Sequence, residues 1–226
     1  MPLGRALSKL GILSRSRSVE AILAGRVRVD GRIVRDPAAL VVPERVRIVV
    51  DGEPQDCAAW RTILLHKPRG TVTTRSDPDG RRTVFDVIGD AARGLVAVGR
   101  LDLASTGALL LTTDTQLANW ITDPRHAVPR VYAVTVRGAV VDRDAERLPA
   151  HAATIRKSSN RESHLIVELR QGRNREIRRM FDAMGHPVTR LKRVSIGGLE
   201  LADLEPGRWR TVSREEVRAA FTGAPA

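Results

Sequence analysis

A single aspartate in the middle of a polar loop is the residue in this chain whose setting best suits chemistry. The run GRLDLASTG at residues 99–107 is bracketed by apolar stretches, Leu95–Val98 before it and Ala108–Leu111 after it. That pattern describes a strand entering a tight loop and a second strand leaving it. A carboxylate at Asp102 is then held between two rigid elements, as catalysis requires. Aspartate is also a common turn former, so the spacing by itself leaves both readings open. No second carboxylate occupies a comparable motif, which argues against a hydrolase built on paired acids. Arg100, two residues upstream, suits a phosphate or a local salt bridge. Tyr132 is the only tyrosine, and alternation along residues 131–137 sets it with Val134 on one face, opposite Val131 and Ala133. Lys67-Pro68-Arg69-Gly70 closes an apolar strand with a residue lacking a backbone donor and one suited to a tight turn.

A basic helix is expected over Arg175–Met184. Asn174 is its candidate N-cap, reaching the amide of Ile177. At 100° per residue Ile177, Met180, Phe181 and Met184 form one face, and Arg175, Arg178 and Arg179 the other.

The elements that must hold these residues fall into two groups. In the first fifty residues, Leu3, Leu7 and Leu10 recur at helical spacing before Gly11 interrupts, and a second helix is expected over Ser16–Ala24 with Gly25 as its stop. Two alternating runs around Asp30-Gly31 predict a hairpin, because both central residues tolerate positive φ. Residues 46–50 predict another strand. Residues 51–60 are polar, broken by Gly and Pro, and read as a linker. Beyond it, strands are expected at 62–66, 71–74, 95–98, 108–113, 131–137, 163–170 and 191–196. Helices are expected at 115–122, 142–148, 175–184 and 214–221. The mixture implies an α+β domain on a largely antiparallel sheet.

Composition narrows the partners. The 226 residues carry 38 Lys and Arg against 26 Asp and Glu, a formal net charge of +12. Such a surplus favours a polyanion, since each neutralised phosphate releases counterions. Only Lys9, Lys67, Lys157 and Lys192 are lysines; arginine suits RNA through its planar fork, although a GC-rich genome produces the same bias. With Cys57 as the only cysteine there is no intrachain disulfide and no thiolate cluster, and the five histidines stand at no metal-ligand spacing. No metal is expected, and no apolar run is long enough to span a bilayer. The first nineteen residues lack an acid, as a transit peptide does, but run unbroken into a folded pattern and are read as structure, so a cytoplasmic location is expected.

Three ordered motifs and the N-terminal unit carry a family resemblance. The runs HKPRGTVTTRSDPDG (66–80), GRLDLASTGALLLTT (99–113) and QGRNREIRRMFD (171–182) resemble the motifs of bacterial ribosomal pseudouridine synthases. The branch they resemble comprises the enzymes of small- and large-subunit ribosomal RNA that carry an N-terminal S4 domain. Residues 3–50 resemble that domain, most specifically at AGRVRVDG (24–31). The resemblance implies an S4-like RNA-binding domain over residues 1–50 and a synthase domain over 61–226, the latter a largely antiparallel mixed sheet. It implies isomerisation of uridine to pseudouridine in ribosomal RNA, with no cofactor and with the target base flipped from its stack. By motif position Asp102 is the essential carboxylate, Tyr132 stacks on the flipped base, and Arg178 pairs with Asp102 and favours its charged form. Lys67, Arg100 and Leu191 border the substrate, while Arg173, Arg175 and Arg179 are left for phosphates. Lys9, Arg15, Arg17, Arg26 and Arg28, with Arg32, would form the S4-like RNA surface.

Where the family often has an acid this chain has Ala104, and Ala108 stands for a common Leu, but no residue given a chemical role is lost. The expected partner is ribosomal RNA or a pre-ribosomal particle, the expected state a monomer, and residues 67–74 lean towards the large-subunit enzymes. Two other readings compete: a non-catalytic RNA-binding or ribosome-assembly factor on the same fold, and a synthase acting on transfer RNA. The joint presence of Asp102, Tyr132 and Arg178 favours the enzyme.

Overall fold

The computed structural model describes every residue except Gly11, Ser14, Asp56, Cys57, Ala58 and Ala226. The expected helix break at Gly11, the lone Cys57 and the last residue of the tail lie outside the described residues.

At the N-terminus, α1 (Leu3–Lys9) and α2 (Arg15–Leu23) pack on a four-stranded antiparallel sheet. Its strands are β1 (Val27–Val29), β2 (Arg32–Ile33), β3 (Ile48–Val50) and β4 (Glu53–Gln55), in the order β2-β1-β3-β4. Leu3, Ala6, Leu7, Ala21, Ile22, Val27 and Ile48 are fully buried between the layers. The β1–β2 turn takes the form expected of Asp-Gly, with φ of 48° at Asp30 and 79° at Gly31. Strand β4 draws the start of the expected linker into this sheet, pairing Ile48 with Gln55 and Val50 with Glu53.

The remaining chain folds on a nine-stranded sheet. In chain order its elements are β5 (Thr62–Lys67), α3 (Val84–Ile88), β6 (Val96–Ala97), β7 (Thr106–Thr112), α4 (Thr115–Thr122), β8 (Arg130–Arg137), α5 (Asp142–Glu146), β9 (Ala152–Ser158), β10 (Glu162–Leu169), α6 (Glu176–Ala183), β11 (Val188–Ile196), β12 (Leu199–Glu200), β13 (Trp209–Val212) and α7 (Arg214–Ala220). The main order is β13-β5-β7-β11-β8-β10-β9, with β6 beside β7 and β12 beside β11. Every pairing is antiparallel except the short parallel seam between β7 and β11, where Thr106 faces Lys192 and Gly107 faces Arg193.

Both faces of the sheet centre are covered. Ile63, Leu65, Leu109, Leu111, Tyr132 and Val134 meet α3 and α6 on one side. Leu64, Leu110, Ile196 and Val212 meet α4 and α7 on the other. Residues buried on both faces explain why β5 and β7 read as continuous apolar runs rather than alternating ones.

Two expectations need correction. Residues 71–74 form no strand; Val72 makes one isolated bridge to Thr83, and the segment is spent on loop contacts described below. Helix α6 begins at Glu176, not at Arg175, and Asn174 does not cap it. Arg175 occupies the cap position with φ 49°, and Glu176 turns back to accept from the amide of Arg173 at 3.1 Å. Arg178, on the basic face of α6, is 9% exposed, as its expected pairing with Asp102 requires. Several elements were not anticipated. The edge strand β9 is mostly exposed and alternates only between exposed and half-buried positions, β4, β12 and β13 are two to four residues long, and α3 is five residues behind a Thr83–Asp86 capping box.

Candidate active site

The polar loop between β6 and β7 opens onto a cleft of about 440 Å³. Four ties hold the loop to the segment that follows β5. Thr73 Oγ1 donates to the Leu101 carbonyl (3.0 Å) and accepts from the Leu101 amide (3.3 Å). The Gly70 amide donates to the Leu103 carbonyl at 2.9 Å, and Lys67 Nζ donates to the Ser105 carbonyl at 2.9 Å. Leu101 itself is buried in the core, so Asp102 stands on a loop anchored on both sides. This is where the conformational freedom of residues 68–74 goes: they form a cradle instead of a strand.

Two guanidinium groups face the Asp102 carboxylate. Arg175 Nη1 lies 3.7 Å and Arg178 Nε 3.9 Å from Oδ2. The two differ in kind. Arg178 is buried, is fixed by a bond from Nη1 to the Val188 carbonyl (3.1 Å), and has no hydrogen-bond partner on Nε. Arg175 is half exposed and reaches in from the strained turn before α6. Burial, then the charge on Arg175, pulls the Arg178 guanidinium below the ordinary arginine range, while Asp102 opposes that pull. The Asp102 side chain is 32% exposed, so the carboxylate borders the cleft rather than being sealed.

Lys67 sits beneath the loop with no exposed surface, and its Nζ also donates to the Pro68 carbonyl at 3.1 Å. Burial pushes its pKa down from 10.5 to about 8, with Asp102 pulling the other way. The folded state thus holds this proton less tightly than the unfolded chain. The cost of burying the charge is fully present below about pH 8, and Lys67's contribution to stability grows as pH rises towards 10.5.

Of the residues singled out from sequence, Arg100, Asp102, Tyr132, Arg173, Arg175 and Leu191 line the cleft. Arg178 and Lys67 abut Asp102 from beneath. Arg179 is exposed on α6 and does not line the cleft, and Arg175 is not left over for phosphate but pairs with Asp102. Lys9, Arg15 and Arg17 border grooves between the N-terminal helices and residues 73–76, and Lys9 Nζ donates to Asn119 Oδ1 at 2.8 Å. Arg26 and Arg28 belong instead to the small sheet and its turns, where Arg26 pairs with Asp51 at 3.3 Å and Arg28 leans on the Gly31 carbonyl. Ser105, Arg130 and Arg193 also line the cleft and were missed. A signal existed for the arginines: each stands two residues from a cleft residue on its strand, a charge where the alternation calls for an apolar side chain.

Comparison with known proteins bears on the family of the chain. Residues 61–183 match the family model described as RNA pseudouridylate synthase, and residues 1–46 match the S4 domain. The chain belongs to the RNA pseudouridylate synthase family. It is accordingly an isomerase that converts uridine in RNA to pseudouridine. The ribosomal large subunit pseudouridine synthase B of Pseudomonas aeruginosa is 38% identical over 237 residues, covering 95% of this chain and 60% of its own. The ribosomal small subunit pseudouridine synthase A of Escherichia coli K12 is 35% identical over 221 residues, covering 92% and 94%. A crystal structure of a pseudouridylate synthase superposes with a TM-score of 0.65 at 26% identity, covering 96% of this synthase and 98% of the other chain. Among the described residues no helix is long and apolar enough to cross a membrane.

Proposed function

We propose that this synthase modifies ribosomal RNA, with Asp102 as the essential carboxylate and without a cofactor. The observation that carries the reading is Asp102 held on an anchored loop, within 4 Å of two guanidinium groups, in the cleft that Tyr132 borders. A target uridine must leave its stack to reach that carboxylate. Tyr132 offers its ring to the flipped base, and Leu191 adds an apolar wall. Arg178, buried and tied to the Val188 carbonyl, fixes the carboxylate from behind. Arg100 and Arg173 at the rim suit the phosphates flanking the target.

The N-terminal unit, residues 1–50, is taken as the RNA-gripping part, and residues 61–226 as the catalytic part. Its arginines sit at the groove that leads from α1 and α2 towards residues 73–76. Replacing Arg15 and Arg17 together with Gln is expected to lower the slope of log affinity against log salt by about 1.4 to 1.8, at 0.7 to 0.9 per lost phosphate contact. An unchanged slope in a filter-binding titration would remove these residues from the RNA path.

Relatives named for either ribosomal subunit match at 35–38% identity. The run at residues 67–74 favours the large one. The direct test is to map pseudouridines in ribosomal and transfer RNA from cells lacking the gene, with and without return of the intact gene. One site lost from large-subunit RNA and restored by the gene is the expected result; loss confined to transfer RNA would overturn the ribosomal reading.

A further inference from the structure

Four buried side-chain polar atoms lack a hydrogen-bond partner among the described residues. Two of them, Ser105 Oγ and Arg193 Nη2, belong to residues lining the Asp102 cleft, and a third is Arg178 Nε beside Asp102. Unsatisfied buried donors are rare and costly, so their concentration at one cleft calls for a missing acceptor.

The charges there point to its sign. Arg193 is 3% exposed and Arg130 is 7% exposed. Arg130 donates to the carbonyls of Val128 (3.0 Å) and Ile121 (2.8 Å), and Arg193 Nε to that of Ala108 (2.6 Å). Among the described residues neither has a carboxylate within 4.0 Å. Burial, and after it the charge of Arg193, holds the Arg130 guanidinium below the usual arginine range. Removing ions from water without a counter-ion costs several kcal/mol each. Strand register brings both beside the tyrosine: Arg193 on β11 is paired with Tyr132 on β8, and Arg130 lies two residues from Tyr132 on the same face. Leu191 precedes Arg193 on β11 at the same spacing.

Resting on the proposed role of this cleft, we propose that Ser105 and Arg193, backed by Arg130, form a seat for the negative charge on the uracil once it is cut from its sugar. Breaking the C1′–N1 bond with its electron pair leaving on N1 makes uracil an anion, its charge spread over N1, O2 and O4, and leaves the sugar positive at C1′, a charge the Asp102 carboxylate meets until the new bond to C1′ closes. Closing the new bond uses a ring electron pair at C5; the proton lost from C5 is matched by one gained at N1, so atoms and charge balance. A donor and a fixed cation under the ring stabilise that anion more than neutral uridine, which accelerates the step rather than strengthening binding. They also keep the freed base in place while it turns.

The test compares single-turnover rates at saturating enzyme with RNA affinity for Ser105→Ala, Arg193→Met and Arg193→Lys. Ser105→Ala removes an unpartnered hydroxyl, so its thermal midpoint should match the parent while its rate falls about tenfold. Arg193→Met is expected to lose about 10²-fold in rate with RNA affinity within about twofold. Arg193→Lys, which keeps the charge, should recover part of that loss. Should Arg193→Met fail to fold, the other two variants decide. Parental rates in Ser105→Ala and Arg193→Lys would overturn the proposal. So would weakened RNA binding with a flatter salt dependence and an intact saturated rate, because the arginine would then hold a phosphate. Wild-type activity abolished by loss of Asp102 stands apart from either outcome, so the seat fails without the active-site assignment failing.

Discussion

Asp102→Asn should stop pseudouridine formation while leaving the RNA bound. The substitution keeps the shape of the side chain and its place on the anchored loop, and removes only the charge and basicity of the carboxylate. Whether the carboxylate attacks the sugar, attacks the base or takes a proton, an amide performs none of these steps. A fall on the order of 10³-fold or more is expected, which is about 4 kcal/mol of barrier. RNA affinity should stay within about twofold, since the rim arginines and the N-terminal unit are untouched; removing a negative charge from a cleft that receives RNA does not weaken it. Chromatographic nucleoside analysis of RNA treated with each protein, beside a binding titration, measures both. Parental modification by the Asn variant would mean that the essential carboxylate lies elsewhere.

Gly107→Ala should be the most damaging small substitution for stability. Gly107 lies in the parallel seam, opposite Arg193, with φ of 113°, a conformation L side chains rarely adopt. A methyl there would fall 2.2 Å from the Arg193 carbonyl oxygen and 2.5 Å from its amide nitrogen. Both are backbone atoms of the neighbouring strand, so no side chain can swing aside. The seam must separate or the backbone must twist, and a loss of about 3 kcal/mol or more follows. For a chain of this size that lowers Tm by roughly 6–12 °C, at 2–4 °C per kcal/mol. Gly172→Ala is the control: a methyl there meets nothing within 4 Å, and Tm should hold. Equal midpoints for the two variants would contradict this account of the seam.

Much of this architecture was legible in the residues. Leu3 and Leu7 marked α1, Asp30-Gly31 marked the hairpin, and the apolar runs on either side of Asp102 marked the approach to β7. What stayed hidden was settled by long-range contacts. The strand expected at residues 71–74 has the right residue types, but Thr73 is drawn to Leu101 and the segment becomes a cradle. Helical periodicity alone groups Arg178 with Arg175 and Arg179, because it counts hydrophobicity; only the motif resemblance singled it out as the partner of a carboxylate 76 positions upstream. Arg130 and Arg193 were obscured for a related reason: a cation in a strand reads as the solvent side, and only the covered sheet shows that no solvent side exists there. The weak alternation of β9 fits an edge strand, which packing specifies least.

The seam between β7 and β11 also dictates when the enzyme comes into being. Arg193 reaches the Ala108 carbonyl across 85 positions of chain; the Asp102 carboxylate lies just before that span, and Tyr132, Arg175 and Arg178 lie within it. While its own messenger is still being read, the polypeptide holds an aspartate without the guanidinium groups that later face it. Competence arrives only with the last third of synthesis, so a half-made copy cannot yet modify RNA.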